Sequence, residues 1–149
     1  MIRIVHFTDT HMDAGEELRA RREADLANHV AVINRLDPQP DVVIFTGDMA
    51  NGGKPEEYDI VRRHMDNLRA PWLAVPGNRD SRRRMCAAFA NHEWVGGHAQ
   101  GPLDFFVQVG PLALIGFDSK GPGTNKGWAH EERRQSLRRL LKRQQARRR

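Results

Sequence analysis

Val42-Val43-Ile44-Phe45-Thr46-Gly47-Asp48 is the stretch on which the fold turns. Five consecutive β-branched or aromatic residues read as a strand buried on both faces. A glycine and a carboxylate follow at once. The same arrangement occurs twice more. Ile2-Arg3-Ile4-Val5-His6-Phe7-Thr8 runs into Asp9-Thr10-His11, and Trp72-Leu73-Ala74-Val75-Pro76 runs into Gly77-Asn78-Arg79-Asp80. In open α/β sheets, sites form just past the carboxyl ends of strands. Three donor clusters at three such ends predict a metal site shared between loops, and so an enzyme.

The segments between these runs predict helices. Glu16 to Leu36 carries Leu18, Leu26, Val30 and Ile33 near helical spacing, and Asp37-Pro38-Gln39-Pro40 stops it. Pro55 opens a second helix over about Glu56 to Leu68. Ser81 is placed to cap a third, running to about Ala90. Gly96-Gly97 and Gly101-Pro102 bound a loop. Phe105 to Val109 and Leu112 to Phe117, joined by Gly110-Pro111, read as a hairpin. A glycine-rich stretch, Lys120 to Gly127, leads to a last helix near His130. The expected fold is therefore α/β, starting as a parallel sheet and adding an antiparallel pair.

The chain has 149 residues, enough for one domain with a real core. No stretch approaches the roughly 20 apolar residues of a membrane span. The N-terminus enters a strand directly, so no signal peptide is visible. Cys86 is the sole cysteine, which excludes an internal disulfide and fits a reducing cytoplasm. The net charge of +5 is uneven. Nine of the 24 basic residues lie between Arg133 and Arg149, with no acid among them; the other 15 face 19 acids, a net of −4. Residues 1–132 thus form a mildly acidic body, and 133–149 a basic helix or tail. Such a run can bind nucleic acid. A solvated helix face is the preferred reading, because no helix-turn-helix, zinc finger or aromatic-rich strand pair accompanies it.

The clusters carry specific chemistry. Asp9 and His11 are two apart, and on an extended segment such residues point the same way and can grip one ion. Carboxylate with imidazole suits Mn, Fe, Zn or Co better than Ca. Asp48, at the end of an adjacent parallel strand, can bridge two ions. Asn78 offers an amide oxygen to the second. Two metals clamp a phosphate ester and acidify the water that attacks it. Gly47 and Gly77 let the backbone turn and approach the site.

These blocks resemble the calcineurin-like metallophosphoesterases, whose pattern is Asp-x-His, then Gly-Asp-x-x-(Asp/Asn/Gly), then Gly-Asn-His-(Asp/Glu). Here they are Asp9-Thr10-His11, Gly47-Asp48-Met49-Ala50-Asn51 and Gly77-Asn78-Arg79-Asp80. Phe117-Asp118-Ser119, Gly123 and Gly127-Trp128 resemble the subgroup of class III cyclic-nucleotide and glycerophosphodiester phosphodiesterases. The resemblance implies a metallo-dependent phosphatase-like sandwich, of which only the N-terminal half is present. It implies Asp9 and His11 on the first metal, Asp48 bridging, and Asn78 on the second. The implied substrate is a phosphate ester, with cyclic nucleotides among the candidates.

Two departures stand out. Arg79 replaces the family's histidine; it can stabilise phosphate charge but cannot give up a proton near neutral pH. The family's later histidine ligands have no counterpart, which would leave the second ion short of donors. The alternative reading is therefore a catalytically incomplete fragment, or a non-catalytic protein with a basic nucleic-acid-binding tail. Half a sandwich would leave one sheet face open, a surface for self-association. Among the other histidines, His6 reads as a satisfied strand residue. His29 and His64 are expected to face solvent. His92, His98 and His130 lie in or near loops. Trp72 and Trp94 read as packing residues, while Trp128 borders the loop expected near the site.

Overall fold

The computed structural model describes residues 1–95 and 101–147. Gly96-Gly97 and His98 lie outside the described residues. In chain order the elements are β1 (Ile4–Phe7), α1 (Glu16–Asn34), β2 (Val42–Phe45), α2 (Pro55–Met65), β3 (Trp72–Ala74), α3 (Arg82–Ala88), a 3-10 turn (Glu93–Val95), β4 (Phe105–Val109), β5 (Leu112–Gly116) and α4 (Glu131–Arg147).

The first three strands form a parallel sheet in the order β1-β2-β3. Val5 pairs with Val43, Phe7 with Phe45, and Ile44 with Leu73. Because the strands follow one another across the sheet, right-handed crossovers carry α1 and α2 to the same face. Alternation puts Phe7 and Phe45 there, with ring centroids 4.5 Å apart, and Phe7 reaches the His29 ring on α1. Leu26, Val30 and Ile33 supply the buried stripe of α1; Tyr58, Val61 and Met65 supply that of α2. Each large apolar side chain fully buried there contributes about 1.5–3 kcal/mol. Leu18, expected on that stripe, is 47% exposed and lies outside it.

The hairpin stands as a separate two-stranded sheet among the described residues. Gly110 takes a positive φ of 54° at its turn, where its missing side chain makes room for Ile2. Trp72, Phe89 and Trp94 form a buried aromatic cluster with His92, as packing residues should. On the sheet face away from α1, Val42 and Leu73 are buried. Ile4 and His6 remain exposed, and Ile44 is half-buried. His6 is satisfied by the Thr46 hydroxyl at 2.7 Å. Ser81 occupies the α3 N-cap position but makes no side-chain capping bond.

His64 does not simply face solvent. It lies 3.0 Å from the Glu23 carboxylate and ties α2 to α1, with Arg63 on the same oxygen at 3.3 Å. The His64 hydrogen bond holds the Glu23 carboxyl below its ordinary value of 4.5. A depressed acid stabilises the fold above its unfolded pKa and loses that contribution as pH falls through its folded value. Glu23→Gln should therefore cost about 0.5–1 kcal/mol at neutral pH and almost nothing below about pH 3. Denaturant melts at both pH values check this; an equal loss at both contradicts it.

Candidate metal centre

All three strands end at one edge, and their clusters meet there. Asp9, His11 and Asp48 each offer a donor atom, all within 4.8 Å of one another. His11 Nε2 is 3.4 Å from Asp9 Oδ1 and 3.7 Å from Asp48 Oδ2. The Arg79 backbone N–H donates to Asp48 Oδ1 at 2.8 Å, which fixes the rotamer and leaves Oδ2 facing His11. Two carboxylates and an imidazole on one point suit a divalent cation of intermediate softness. The donor set fits the ion the motifs imply.

The backbone reason for this convergence differs from strand alternation. Asp9 (φ 61°), His11 (φ 44°) and Asp48 (φ 50°) all have left-handed backbones, and they are the only non-glycine residues that do among those described. Such conformations cost of order 1–3 kcal/mol each and persist where surroundings over-determine them. Asp and His tolerate the region better than most residues. The expected extended geometry from Asp9 to His11 is thus absent: β1 ends at Phe7, and the chain coils.

Several bonds hold the coil in place. Asp9 N–H donates to Gly47 O at 3.0 Å, His11 N–H to Asp48 O at 2.8 Å, and Met12 N–H to Met49 O at 2.8 Å. Arg22 on α1 donates to the His11 carbonyl. Asp13 accepts from Gly15 N–H at 2.8 Å and Asn51 Nδ2 at 2.7 Å, and these bonds hold its pKa below the ordinary value.

Asp48 and Gly77 press together backbone to backbone. A Cβ at Gly77 would collide with the Asp48 carboxylate and amide, and one at Gly47 would strike Gly77. Gly47 also needs its φ of 97°. Asn78 and Arg79 are exposed beside this contact, and both neighbours of Asn78 touch Asp48.

Sequence reasoning missed the residue that clasps the second and third clusters. Asp80 is 2% exposed and accepts from Gly77 N–H (2.9 Å), Ala50 N–H (3.1 Å), Met49 N–H (3.3 Å) and the Tyr58 hydroxyl (3.1 Å). Burial pushes its pKa up, and those donors pull against burial. The Tyr58 oxygen in turn accepts from Ser81 N–H at 2.7 Å. The third cluster's closing acid was the available signal. Also missed were Asp118, which is 1% exposed and bound by the Arg82 guanidinium through both oxygens (2.5 and 2.8 Å), and Lys120, whose ammonium donates to the Asn78 carbonyl. His92 pairs with Asp66 at 3.1 Å within the aromatic cluster, and His130 stacks near Trp128; neither joins the three donors.

A parallel α/β edge with converged acid and imidazole donors defines a candidate metal site. The Calcineurin-like phosphoesterase family model matches residues 2–144, and the chain belongs to that family. It is 33% identical to a probable glycerophosphodiester phosphodiesterase of Arcobacter nitrofigilis, over 87% of this chain and 48% of that protein. It is 30% identical to a glycerophosphodiester phosphodiesterase of Enterobacter lignolyticus, over 84% of this chain and 46% of the other. It is 28% identical to a cAMP/cGMP dual specificity phosphodiesterase of Mycobacterium tuberculosis, over 83% and 40%. The chain spans about half the length of these relatives.

Asp80→Ala strands three backbone donors and a tyrosine hydroxyl, each costing about 1–3 kcal/mol when unpaired and buried. It should destabilise the chain by at least about 3 kcal/mol, and Tyr58→Phe by about 1–2 kcal/mol. Equilibrium unfolding measures both. A loss under 1 kcal/mol for Asp80→Ala, taken as an order-of-magnitude threshold, removes the clasp from the account.

Proposed function

We propose that this chain builds the metal-binding part of a phosphoesterase centre that hydrolyses a phosphodiester or phosphomonoester with a metal-activated water. The carrying observation is the convergence of Asp9, His11 and Asp48 at the sheet edge. Asp9 and His11 would hold the first ion and Asp48 would bridge. Asn78, bracketed by residues that touch Asp48, would hold the second. The donors favour Mn, Fe, Zn or Co. A bound divalent ion supplies positive charge against the phosphoryl oxygens and lowers the pKa of water.

The chain's own residues then orient the reactants. Arg79 is exposed, its backbone N–H is bound to Asp48, and its guanidinium would offer a fork of donors to phosphate oxygens. An arginine there would bind phosphate charge and would not serve as general acid to the leaving oxygen. The relatives' names make glycerophosphodiesters and cyclic nucleotides the first substrates to try. The single cysteine fits a cytoplasmic setting. Among the described residues, no helix is long and apolar enough to cross a membrane. Residues 133–149 are read as a basic appendage to the body.

A second reading is that this chain alone holds an incomplete centre. The twofold greater length of the relatives favours it, as does the open sheet face at Ile4 and His6. That face would support self-association, visible as a mass that grows with concentration in sedimentation. The direct test of the leading reading is Mn²⁺-dependent hydrolysis of bis(p-nitrophenyl) phosphate. Asp48→Ala should cut the rate by about 100-fold or more. Equal rates for the two proteins sink the hydrolase reading.

A further inference from the structure

A small cavity of about 180 Å³ adjoins the site and takes no part in the chemistry described so far. Arg82, Lys120, Trp128, His130 and Arg133 line it. Three of these are permanent cations. Two of them have counter-charges: Asp118, with no exposed side-chain surface, binds Arg82, and Asp104 binds Arg133 at 2.5 Å. Arg82 and Arg133 are thus each paired with a carboxylate, and Lys120 carries the unpaired positive charge of the lining among the described residues. His130 Nε2 lies 3.6 Å from the Glu132 carboxylate.

Lys120 is the cation left over. Its ammonium has three donors, and only one is used, on the Asn78 carbonyl. No carboxylate pairs with it among the described residues. Its backbone is locked on both sides: its N–H donates to Asp118 Oδ1 at 2.9 Å, and its carbonyl accepts from Arg82. The Arg82–Asp118 pair thus holds the Lys120 backbone, and the ammonium reaches the loop of Asn78. A second orphan lies close by. His130 Nδ1 is shielded from solvent and has no hydrogen-bond partner among the described residues. Buried polar atoms usually have partners, so such an atom calls for one. Trp128, 46% exposed and 4.7 Å from the His130 ring, forms an apolar wall.

We infer that this cavity is an anion subsite for the alcohol arm of the substrate. It selects phosphate esters that carry a second phosphate or carboxylate beyond the scissile group. The inference rests on the phosphoesterase reading for its substrate, but not for its binding chemistry. Size agrees: a cavity of about 180 Å³ has room for a phosphate group. Lys120 spans the two subsites, with one donor on the loop of Asn78 and two free for the anion. Lys120 is a specificity residue under this scheme, and Asp118 is a positioning residue that acts through it.

The test has a binding arm that needs no turnover. The full chain is stripped of metal with chelator and titrated with inorganic phosphate, following tryptophan fluorescence. Trp128→Phe identifies the signal. Saturable quenching should appear in the wild type and in Asp48→Ala alike. Lys120→Gln should weaken it about tenfold, the scale of one lost charge-assisted hydrogen bond. Phosphate affinity unchanged in Lys120→Gln, or no saturable quenching in the wild type, overturns the subsite; the former outcome assigns binding to the Arg-rich tail. The second arm compares two chromogenic substrates, bis(p-nitrophenyl) phosphate and a nucleoside 3′-phosphate 5′-(p-nitrophenyl phosphate). Lys120→Gln should raise KM about tenfold for the second and leave KM for the first within twofold. Equal changes for both overturn the specificity role. Anion binding intact in a wild type without turnover would remove the hydrolase reading and leave the subsite standing.

Discussion

The structure depends on one close approach, that of Gly77 to Asp48. Two strand-end loops meet there with no side chain between them, because any Cβ at Gly77 would occupy the Asp48 carboxylate. That contact is closed from below by Asp80, which collects amides from both loops into one buried carboxylate. Burial makes the charge costly, and the four donated hydrogen bonds make it tolerable. The result is rigid placement of Asp48, on which His11 and Asp9 then converge. The left-handed backbone at all three donors is what the surrounding bonds hold in place.

Much of this was legible in the sequence. The parallel sheet could be read because buried strands need unbroken apolar runs, and Val42 to Phe45 is one. The donors could be read because they follow those runs and recur in order. Strand ends were overestimated because Thr8, Thr46 and Pro76 continue the apolar-run pattern after the pairing has stopped. The coil from Asp9 to His11 was read as extended because alternation says nothing about residues held by loop hydrogen bonds. Asp80 and Asp118 were not recognised as supports, since an aspartate that gathers amides looks in sequence like any solvated acid. Leu18 shares the helical spacing of Leu26, Val30 and Ile33, yet it is 47% exposed, because spacing alone does not say how far the buried stripe extends.

The same logic of buried acid and outward cation repeats away from the donors. Asp118 joins α3 to the segment after β5, and Asp104 accepts the bidentate fork of Arg133, which also lies 4.5 Å over the Phe117 ring. The start of α4 is therefore anchored to the body at Arg133, inside the run that composition alone would call a tail. Paired buried charges add little net stability over apolar packing but resist loss of either partner. Here Asp118 also accepts the Lys120 N–H, and the Lys120 ammonium donates to the carbonyl of Asn78.

Asp9, His11 and Asp48 of this one chain should suffice to hold a divalent ion. A metal count per chain tests this most directly, by native mass spectrometry after equilibration with Mn²⁺ and removal of excess. The account predicts at least one ion retained by the wild type and none by a His11→Ala/Asp48→Ala double variant that remains folded. A wild-type chain that retains no ion, or a double variant that retains as many, contradicts it.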